Sequence, residues 1–500
     1  MADKTIQRTL CCSGLAHLQR TQWRAGLLIL SAIAIGLATL NRTAWFPPAQ
    51  FAFMMIGLLL SLTALLLPMG KADTTSTASI CDRFLPGVVG FGLIVYAAVS
   101  LWNFPPIIYP QIAPPSARPT LMDWLNAYTN VFRAYWALTG VMFAMACIAV
   151  FATPRISRIL FAGVLGCFVL AGFWVVRTSP QPLIDVWVTH QYSCQAISEG
   201  KNPYAITYPD IYGPGSRLMD PAAVKNGQVQ SGYNYPPLTL LMSLPGFLVG
   251  GDYRYANVFA IALTALFLGL LDKRVGILAG MLLLLMPHTL FVIEQGWTEA
   301  HVLLLLVAFA WCAIYRPRLA PWVFGLFLAS KQHLFLTLPL GLLALPRGKR
   351  SIQDMLLFEV QAVVAAAMVT VPFVMWDAAA FDRSVLGLFH GGADKIMVER
   401  PDSVTIFGAM LYYNWGKLPG IASPIALLAT LGLCLATQWK SRFAVSACIL
   451  SIAVTLLAAH AFSHHAFCNH YYLIFGALLG AAAAQTAQQQ RQLPAEFVAV

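Results

Sequence analysis

The chain has 500 residues, of which 59% are hydrophobic, and its 31 basic and 20 acidic side chains leave a formal net charge of +11. Charged residues make up only 10% of the chain, against roughly 25% in soluble domains, and the mean hydropathy is +0.70. So few charges cannot cover soluble domains of this total size, and the composition also excludes disordered, collagen-like and disulfide-scaffold proteins, which leaves a polytopic membrane protein.

A membrane-spanning helix needs about 20 mostly apolar residues, and apolar runs of that order recur along the chain. Twelve of them are clear: 25–40, 51–69, 85–102, 132–152, 159–176, 255–271, 275–292, 300–315, 356–375, 421–437, 443–460 and 471–484. The stretch 319–345 is interrupted by Lys331, Gln332 and His333, so it forms either two short spans or one broken hairpin. We therefore expect an all-α polytopic membrane protein with about 12–14 transmembrane helices.

The basic residues are distributed unevenly between the two sets of short loops. The loops 70–84, 153–158, 272–274, 316–318, 346–355 and 438–442 hold 13 Lys or Arg, and those of the other set hold only Arg42 and Lys331. Basic loops stay in the cytoplasm, so both termini are expected there if 319–345 crosses twice. Because the positive charge is explained by topology, nucleic acid is not expected as a partner.

This orientation places the long polar loops 177–254 and 376–420 outside the cytoplasm. The outer side also holds 13 of the 20 carboxylates. Chemistry that uses a carboxylate is therefore expected at the outer boundary between membrane and water.

A surface helix is predicted directly after the fifth span. Apolar and aromatic residues recur at helical spacing from Ile184 to Ala196, and Gly200 ends the pattern as a C-terminal cap. This juxtamembrane helix begins at Asp185, for which two interpretations stay open at this point. Its carboxylate either caps free backbone N–H groups or takes part in chemistry.

The rest of this loop is rich in tyrosine, proline and glycine. Tyr204, Tyr233 and Tyr235 are either anchors at the membrane interface or faces on which a sugar ring stacks. Spacing alone does not separate the two interpretations.

Five motifs then follow one another in a recognisable order: Asp185 after an apolar span, GKNPY at 200–204, YNYPP at 233–237, EQGWTEAH at 294–301 and LASKQHLFLTLPL at 328–340, with HAFSHHAFCNHYYLIFG at 460–476 as a late polar patch. This order resembles the membrane glycosyltransferases of the GT-C superfamily, and within it glycosyltransferase family 87, the polyprenyl-phosphate-mannose-dependent mannosyltransferases. The resemblance covers residues 156–485 and implies a GT-C-like catalytic module there. Residues 1–155 are then additional N-terminal transmembrane helices, and residues 486–500 a cytoplasmic tail.

The resemblance also implies roles for individual residues. Asp185 corresponds to the catalytic base, which takes the proton of the acceptor hydroxyl. The donor phosphate is expected to bind Lys331, Gln332, His333 and Arg400. Acceptor or sugar contacts are expected from Tyr204, Tyr233, Tyr235, Glu294, Gln295, His464, His465, Asn469 and Tyr471. Lys331 can alternatively be a lysine that extends to the lipid headgroups.

No metal site is expected, because the late histidines lack a second pair of ligands at zinc spacing. No cofactor is expected either, since the lipid-linked sugar donor is itself a substrate.

The resemblance implies inverting transfer of a mannose-like hexose or a pentose from a polyprenyl-phosphate sugar to a lipid-linked or cell-envelope glycan. It would occur on the outer face of a bacterial inner membrane, with membrane lipids around the protein. Two alternatives are a transporter or flippase and a polymerase or ligase for lipid-linked glycans.

Overall fold

Backbone buried in lipid has to satisfy its own hydrogen bonds, and the apolar runs of this chain accordingly form helices. The computed structural model describes residues 23–39, 48–67, 78–102, 132–213, 223–386, 421–463 and 466–492. Most of these residues are helical, and strand structure among them is limited to three strands of two residues each. The predicted all-α class is confirmed for the described part of the chain.

Five helices precede the predicted surface helix. They are α1 (Trp23–Ala38), α2 (Pro48–Leu66), α3 (Ala78–Trp102), α4 (Arg133–Phe151) and α5 (Pro154–Thr178). Helices α4 and α5 form a hairpin in which Pro154 takes the first helical position of α5, where its missing N–H costs no hydrogen bond. The Ser157 hydroxyl donates to the Ala149 carbonyl at 2.8 Å and ties the hairpin together.

The remaining elements follow in chain order. The first group comprises α6 (Asp185–Ser198), β1 (Tyr208–Pro209), β2 (Val224–Lys225), β3 (Gln228–Val229), α7 (Pro237–Gly250), α8 (Arg254–Leu271), α9 (Val275–Leu285), α10 (Thr289–Glu294), α11 (Glu299–Tyr315) and α12 (Ala320–Leu328). The second comprises 3₁₀ helices over Gln332–Ala344 and Arg347–Lys349, α13 (Ile352–Trp376), α14 (Ala378–Phe381), a π-helical turn over Asp382–Leu386, α15 (Ala422–Gln438), α16 (Ala444–Ala461) and α17 (Cys468–Gln492).

Five of the described helices, α4, α5, α8, α13 and α16, are long and apolar enough to cross a membrane. Outside these five helices, the described ranges contain eight further apolar helical stretches of 10–17 residues, among them Gln50–Leu66 of α2 and Phe84–Ser100 of α3. The expected total of 12–14 spans requires several of these shorter helices to cross as well, and it stays a prediction.

The helices divide into a central and a peripheral set. Every residue of the apolar window of α16 is buried, whereas only 28% of the corresponding windows of α4 and α13 is buried. The side of α13 that points away from the rest of the protein exposes Leu356, Val360 and Met368. In a chain with so few charges, such apolar surfaces are suited to contact lipid.

Small residues let the central helices approach closely. A methyl group at Gly476 of α17 would lie 2.2 Å from a side-chain carbon of Leu303 in α11. Glycine and alanine at helix contacts are the usual means of close packing between helices in membranes.

The predicted interruption near residue 331 is confirmed. Lys331 has an extended backbone, with φ −150° and ψ 145°, between α12 and the 3₁₀ helix that begins at Gln332. That 3₁₀ helix continues for 13 residues and contains Pro339, although 3₁₀ runs longer than three or four residues are uncommon and mark a functional or strained segment.

The outer loop between α6 and α7 contains a small antiparallel sheet in the order β1-β3-β2. Strands β2 and β3 are joined by Asn226 and Gly227, whose φ angles are 51° and 71°. This Asn-Gly pair with positive φ is the preferred two-residue hairpin turn. Strand β3 pairs Val229 with Tyr208 of β1, so the hairpin fixes the position of β1 beneath α6.

Candidate functional site

The surface helix α6 forms where it was predicted, over Asp185–Ser198, and Gly200 follows it with a φ of +71°. The side that it buries differs from the expected one, because the helix turns His190, Ser193 and Cys194 inward and leaves Tyr192 40% exposed. The reason is that α6 packs on an aromatic cluster of the outer loop. There the His190 ring stacks on Tyr253 with centroids 4.1 Å apart.

Asp185 is not the N-cap of α6. Ile184 occupies the cap position with an extended backbone, and Asp185 is the first helical residue. Its half-buried carboxylate accepts a hydrogen bond from the Tyr212 hydroxyl at 3.2 Å, and the same hydroxyl oxygen accepts the backbone N–H of Asp185 at 3.2 Å. The carboxylate also meets backbone N–H groups of the first turn, so a contribution to helix capping and a role in chemistry both stay open.

The turn before Tyr212 explains how this phenol reaches Asp185. The Asp210 side chain accepts the Tyr212 backbone N–H at 3.0 Å, an Asx turn that redirects the chain. The Asp210 backbone N–H in turn donates to the Gly227 carbonyl at 3.0 Å. The hairpin of β2 and β3 thus anchors the residue that holds Asp185.

Burial raises the pKa of the Asp185 carboxyl, and the hydrogen bonds from Tyr212 and from backbone N–H groups only partly counteract this effect. A carboxylate with a raised pKa is a stronger base than an exposed one. Burial and the negative charge of Asp185 also raise the pKa of the Tyr212 phenol. Tyr212 is therefore a neutral hydrogen-bond donor at physiological pH.

Tyr235 lies within electrostatic range of both Asp185 and Glu299. Burial is the main cause that raises the pKa of its phenol, and the negative charges of Glu299 and Asp185 raise this pKa further. The Lys331 ammonium lies 5.4 Å from the centre of the Tyr235 ring, a distance typical of a cation–π contact. The structure thus brings Asp185, Tyr235 and Lys331 to one region.

Lys331 forms an ion pair with Glu299, the first residue of α11. Both residues are buried, with 4% of Lys331 and 1% of Glu299 exposed. The alternative in which Lys331 extends to the headgroups is therefore wrong for this conformation. Since the pair is neutral, an anion that binds Lys331 has to compete with Glu299.

The two residues after Lys331 make different kinds of contact, hydrogen bonds from Gln332 and ring contacts from His333. The Gln332 amide donates to the Asn234 carbonyl at 2.6 Å and to the Val385 carbonyl at 3.2 Å, so it bridges two segments of the outer region. The ring of His333 contacts those of His460 and His470, with centroids 5.5 and 6.2 Å apart. The predicted phosphate contacts of Gln332 and His333 stay predictions.

Glu294 and Gln295 lie in a separate, buried network. The Ser179 hydroxyl donates to the Glu294 carboxylate at 2.7 Å, and the Gln295 amide contacts its other oxygen. Arg254 donates to the Glu294 carbonyl at 2.9 Å and to the Ser179 carbonyl at 2.7 Å, and it pairs with Asp252. This network joins the end of α5 to the segment that follows α10, and the expected sugar contacts of both residues stay predictions.

Tyr204 and Tyr233 are fully buried rather than open to solvent. Tyr204 packs against Phe381 and donates to the Tyr235 carbonyl at 3.0 Å, and the Tyr233 hydroxyl bonds that of Thr239 at 2.7 Å. Their rings support the loop beneath Tyr235, and a direct sugar contact would require them to move.

The late polar patch is described only in part. Asn469 and Tyr471 lie at the start of α17 and are buried, and the side-chain oxygen Oδ1 of Asn469 has no hydrogen-bond partner among the described residues. Arg400, His464 and His465 lie outside the described residues. Within the described ranges, no group of three or more His, Cys, Asp or Glu side chains is arranged to hold a metal ion.

Sequence reasoning missed Tyr212 and Glu299 as parts of the site. Asp210 precedes Tyr212 by the two residues that an Asx turn requires, a signal that could have singled out Tyr212 as a fixed side chain. A charge inside an apolar run usually has a partner, and Glu299 at the start of one run could have been matched with Lys331 on that ground.

No family model, curated protein or solved structure matches the chain.

Proposed function

We propose that the chain is a GT-C-like inverting glycosyltransferase that moves a sugar from a polyprenyl phosphate to a glycan acceptor, with Asp185 as the general base. The observation that carries this proposal is the environment of Asp185. It is a half-buried carboxylate with a raised pKa, held by the Tyr212 phenol, in the same region as a buried lysine.

The chemistry needs one base. The acceptor hydroxyl gives its proton to Asp185 while its oxygen attacks the anomeric carbon, and the bond from that carbon to the phosphate oxygen breaks. The electron pair of that bond leaves with the polyprenyl phosphate, which needs no proton because phosphate is a good leaving group. The raised pKa of Asp185 brings its basicity closer to that of an efficient general base at neutral pH.

The departing phosphate gains a negative charge as the bond breaks. An ammonium fixed at the place where charge develops stabilises such a transition state, and the Lys331 ammonium lies 5.4 Å from the centre of the Tyr235 ring. Tyr212 and Tyr235 stay neutral and can donate hydrogen bonds to sugar or phosphate oxygens.

The finer parts of the proposal follow from the sequence resemblance. The donor sugar is mannose-like or a pentose, the acceptor is a lipid-linked or cell-envelope glycan, and the reaction takes place on the outer face of a bacterial inner membrane. Residues 156–485 form the catalytic module, to which residues 1–155 add further transmembrane helices.

One observation favours a second candidate, a transporter or flippase for lipid-linked glycans. The break at Lys331 between α12 and the 3₁₀ helix resembles the discontinuous helices that bind substrates in transporters. A transporter would move the lipid-linked sugar without breaking its bond to phosphate.

The deciding experiment offers radiolabelled polyprenyl-phosphate sugars and glycan acceptors to the purified protein in lipid nanodiscs. Transfer of label is expected, and Asp185→Asn should lower it by at least about 100-fold. Glu199→Gln is the matched control, because Glu199 follows the other end of α6 and is exposed. Movement of intact donor across a vesicle membrane without transfer would support the transporter instead.

A further inference from the structure

The buried pair of Lys331 and Glu299 leaves one carboxylate oxygen unused. The Lys331 ammonium contacts Oε1 of Glu299, whereas Oε2 is buried and has no hydrogen-bond partner among the residues that the structure describes. A buried charged oxygen without a partner is costly. The pair is therefore incompletely satisfied in this conformation.

Two imidazoles next to this pair are also incompletely satisfied. The rings of His333 and His460 meet edge to face with centroids 5.5 Å apart, and the positive charge of Lys331 acts on both. The Nε2 atoms of both rings are buried without a partner in the described part of the chain, and His460 is only 8% exposed. Buried polar atoms without a partner require a physical explanation, and a functional role such as ligand binding is one.

The chemistry of these atoms selects the kind of ligand. An ammonium and two imidazoles can each donate a hydrogen bond, so they suit a group that has several acceptor oxygens pointing in different directions. A phosphate ester has this property and carries the charge that Lys331 requires.

We propose that Glu299 is the resting counter-ion of an anion site formed by Lys331, His333 and His460, and that the phosphate of the lipid-linked sugar takes its place on the Lys331 ammonium. This inference rests on the proposed function, since it identifies how the donor of that reaction is held. It assigns Glu299 a role in selecting the donor and leaves Asp185 as the base.

The displaced carboxylate should favour sugar-bearing lipids over bare lipid phosphates. Once phosphate occupies Lys331, both oxygens of Glu299 need hydrogen-bond donors, and the hydroxyls of a sugar attached to that phosphate can supply them. A bare lipid phosphate has no such hydroxyls and carries more negative charge, so Glu299 repels it. After transfer, Glu299 returns to Lys331 and helps to expel the product.

The test measures equilibrium binding of farnesyl phosphate, a model of the product, to the full-length protein in nanodiscs. Farnesol is the control for binding of the lipid chain alone. Glu299→Gln should bind farnesyl phosphate at least about tenfold more tightly than the parent, because an opposing charge at close range is removed, and its affinity for farnesol should stay unchanged. Equal or weaker binding of farnesyl phosphate by this variant would overturn the proposal.

The double variant Lys331→Gln/Glu299→Gln covers the case in which Glu299→Gln does not fold. It contains no unpaired charge at this position, so it should fold and bind farnesyl phosphate no better than farnesol. A parent-like preference for the phosphate in the double variant would disprove an anion site at Lys331. Inorganic phosphate should compete only weakly, and competition at the same concentrations as farnesyl phosphate would overturn the assignment to a lipid.

The binding measurement and the sugar-transfer assay together separate this inference from the proposed function. Tighter binding by Glu299→Gln together with no sugar transfer by the parent would retain the anion site and refute the transferase. Transfer that depends on Asp185, with unchanged binding by Glu299→Gln, would retain the transferase and refute the role of Glu299.

Discussion

The Tyr212 phenol controls the basicity of Asp185, and its removal gives a sharp prediction. In Tyr212→Phe the carboxylate loses the hydrogen bond at 3.2 Å that lowers its pKa, while the effect of burial remains. The pKa of Asp185 therefore rises further. The ring is kept, so the packing of the loop around it changes little.

The size of this shift follows from the geometry of the bond. A hydrogen bond to a charged group is worth about 1.5–3 kcal/mol, and about 1.4 kcal/mol corresponds to one pKa unit. At 3.2 Å the bond is long for a hydroxyl and a carboxylate, so the lower end of the range applies. We expect an upward shift of about one unit in the pKa of Asp185.

The assay is the pH dependence of kcat/KM for sugar transfer. A general base acts in its deprotonated form, so the rate increases with pH through the pKa of Asp185. In Tyr212→Phe this acid limb should move to higher pH by about one unit, with little change on the alkaline side. Tyr192→Phe is the control, since Tyr192 lies on the same helix and is 40% exposed. An acid limb that stays in place, or moves to lower pH, would refute the assignment of Asp185 as a base fixed by Tyr212.

Three further outcomes are expected. Because burial raises the pKa of Asp185, the native state binds its proton more tightly than the unfolded state, and this contribution to stability is lost as pH rises from about 4 through the raised pKa. The substitution Asp185→Asn should therefore raise the thermal stability relative to the parent more at pH 8 than at pH 4. An equal change at both pH values would contradict the raised pKa. Arg254→Leu removes a fully buried cation from its ion pair and should lower the free energy of unfolding by roughly 3–5 kcal/mol, whereas Arg316→Gln, at an exposed arginine, should change it by less than about 0.5 kcal/mol. Finally, Gln230→Cys in the outer loop should react with an impermeant thiol reagent in intact cells, and Lys349→Cys only after lysis; the reverse pattern would invert the topology.

The elements that could be predicted are those that short-range chemistry decides. Helix α6 begins at Asp185 and ends before Gly200 as expected, because apolar spacing and a glycine with positive φ act over a few residues. The interruption at Lys331 was predictable for the same reason, since a lysine next to polar residues disfavours a continuous apolar helix.

The buried side of α6 was not predictable in this way. An amphipathic pattern assumes that apolar residues face inward, whereas α6 turns His190 and Ser193 toward the protein. The His190 ring packs against those of Tyr233 and Tyr253, which come from distant parts of the outer loop. Only the tertiary arrangement places those rings beneath the helix.

The partner of Lys331 marks the same limit in the site itself. A buried lysine needs a carboxylate, and the outer ends of the helices offer Asp185, Glu294 and Glu299. All three follow or begin apolar segments, so local sequence ranks them equally. Which carboxylate pairs with Lys331 depends on how α11 packs relative to the break after α12. In the fold, this packing places Glu299 against Lys331. Glu294 is instead held by Ser179 and Gln295, and among the described residues Asp185 has a phenol rather than a cation as its partner. That division of roles is what a base and a phosphate site in one region require, because a cation bound directly to Asp185 would lower its pKa and weaken it as a base.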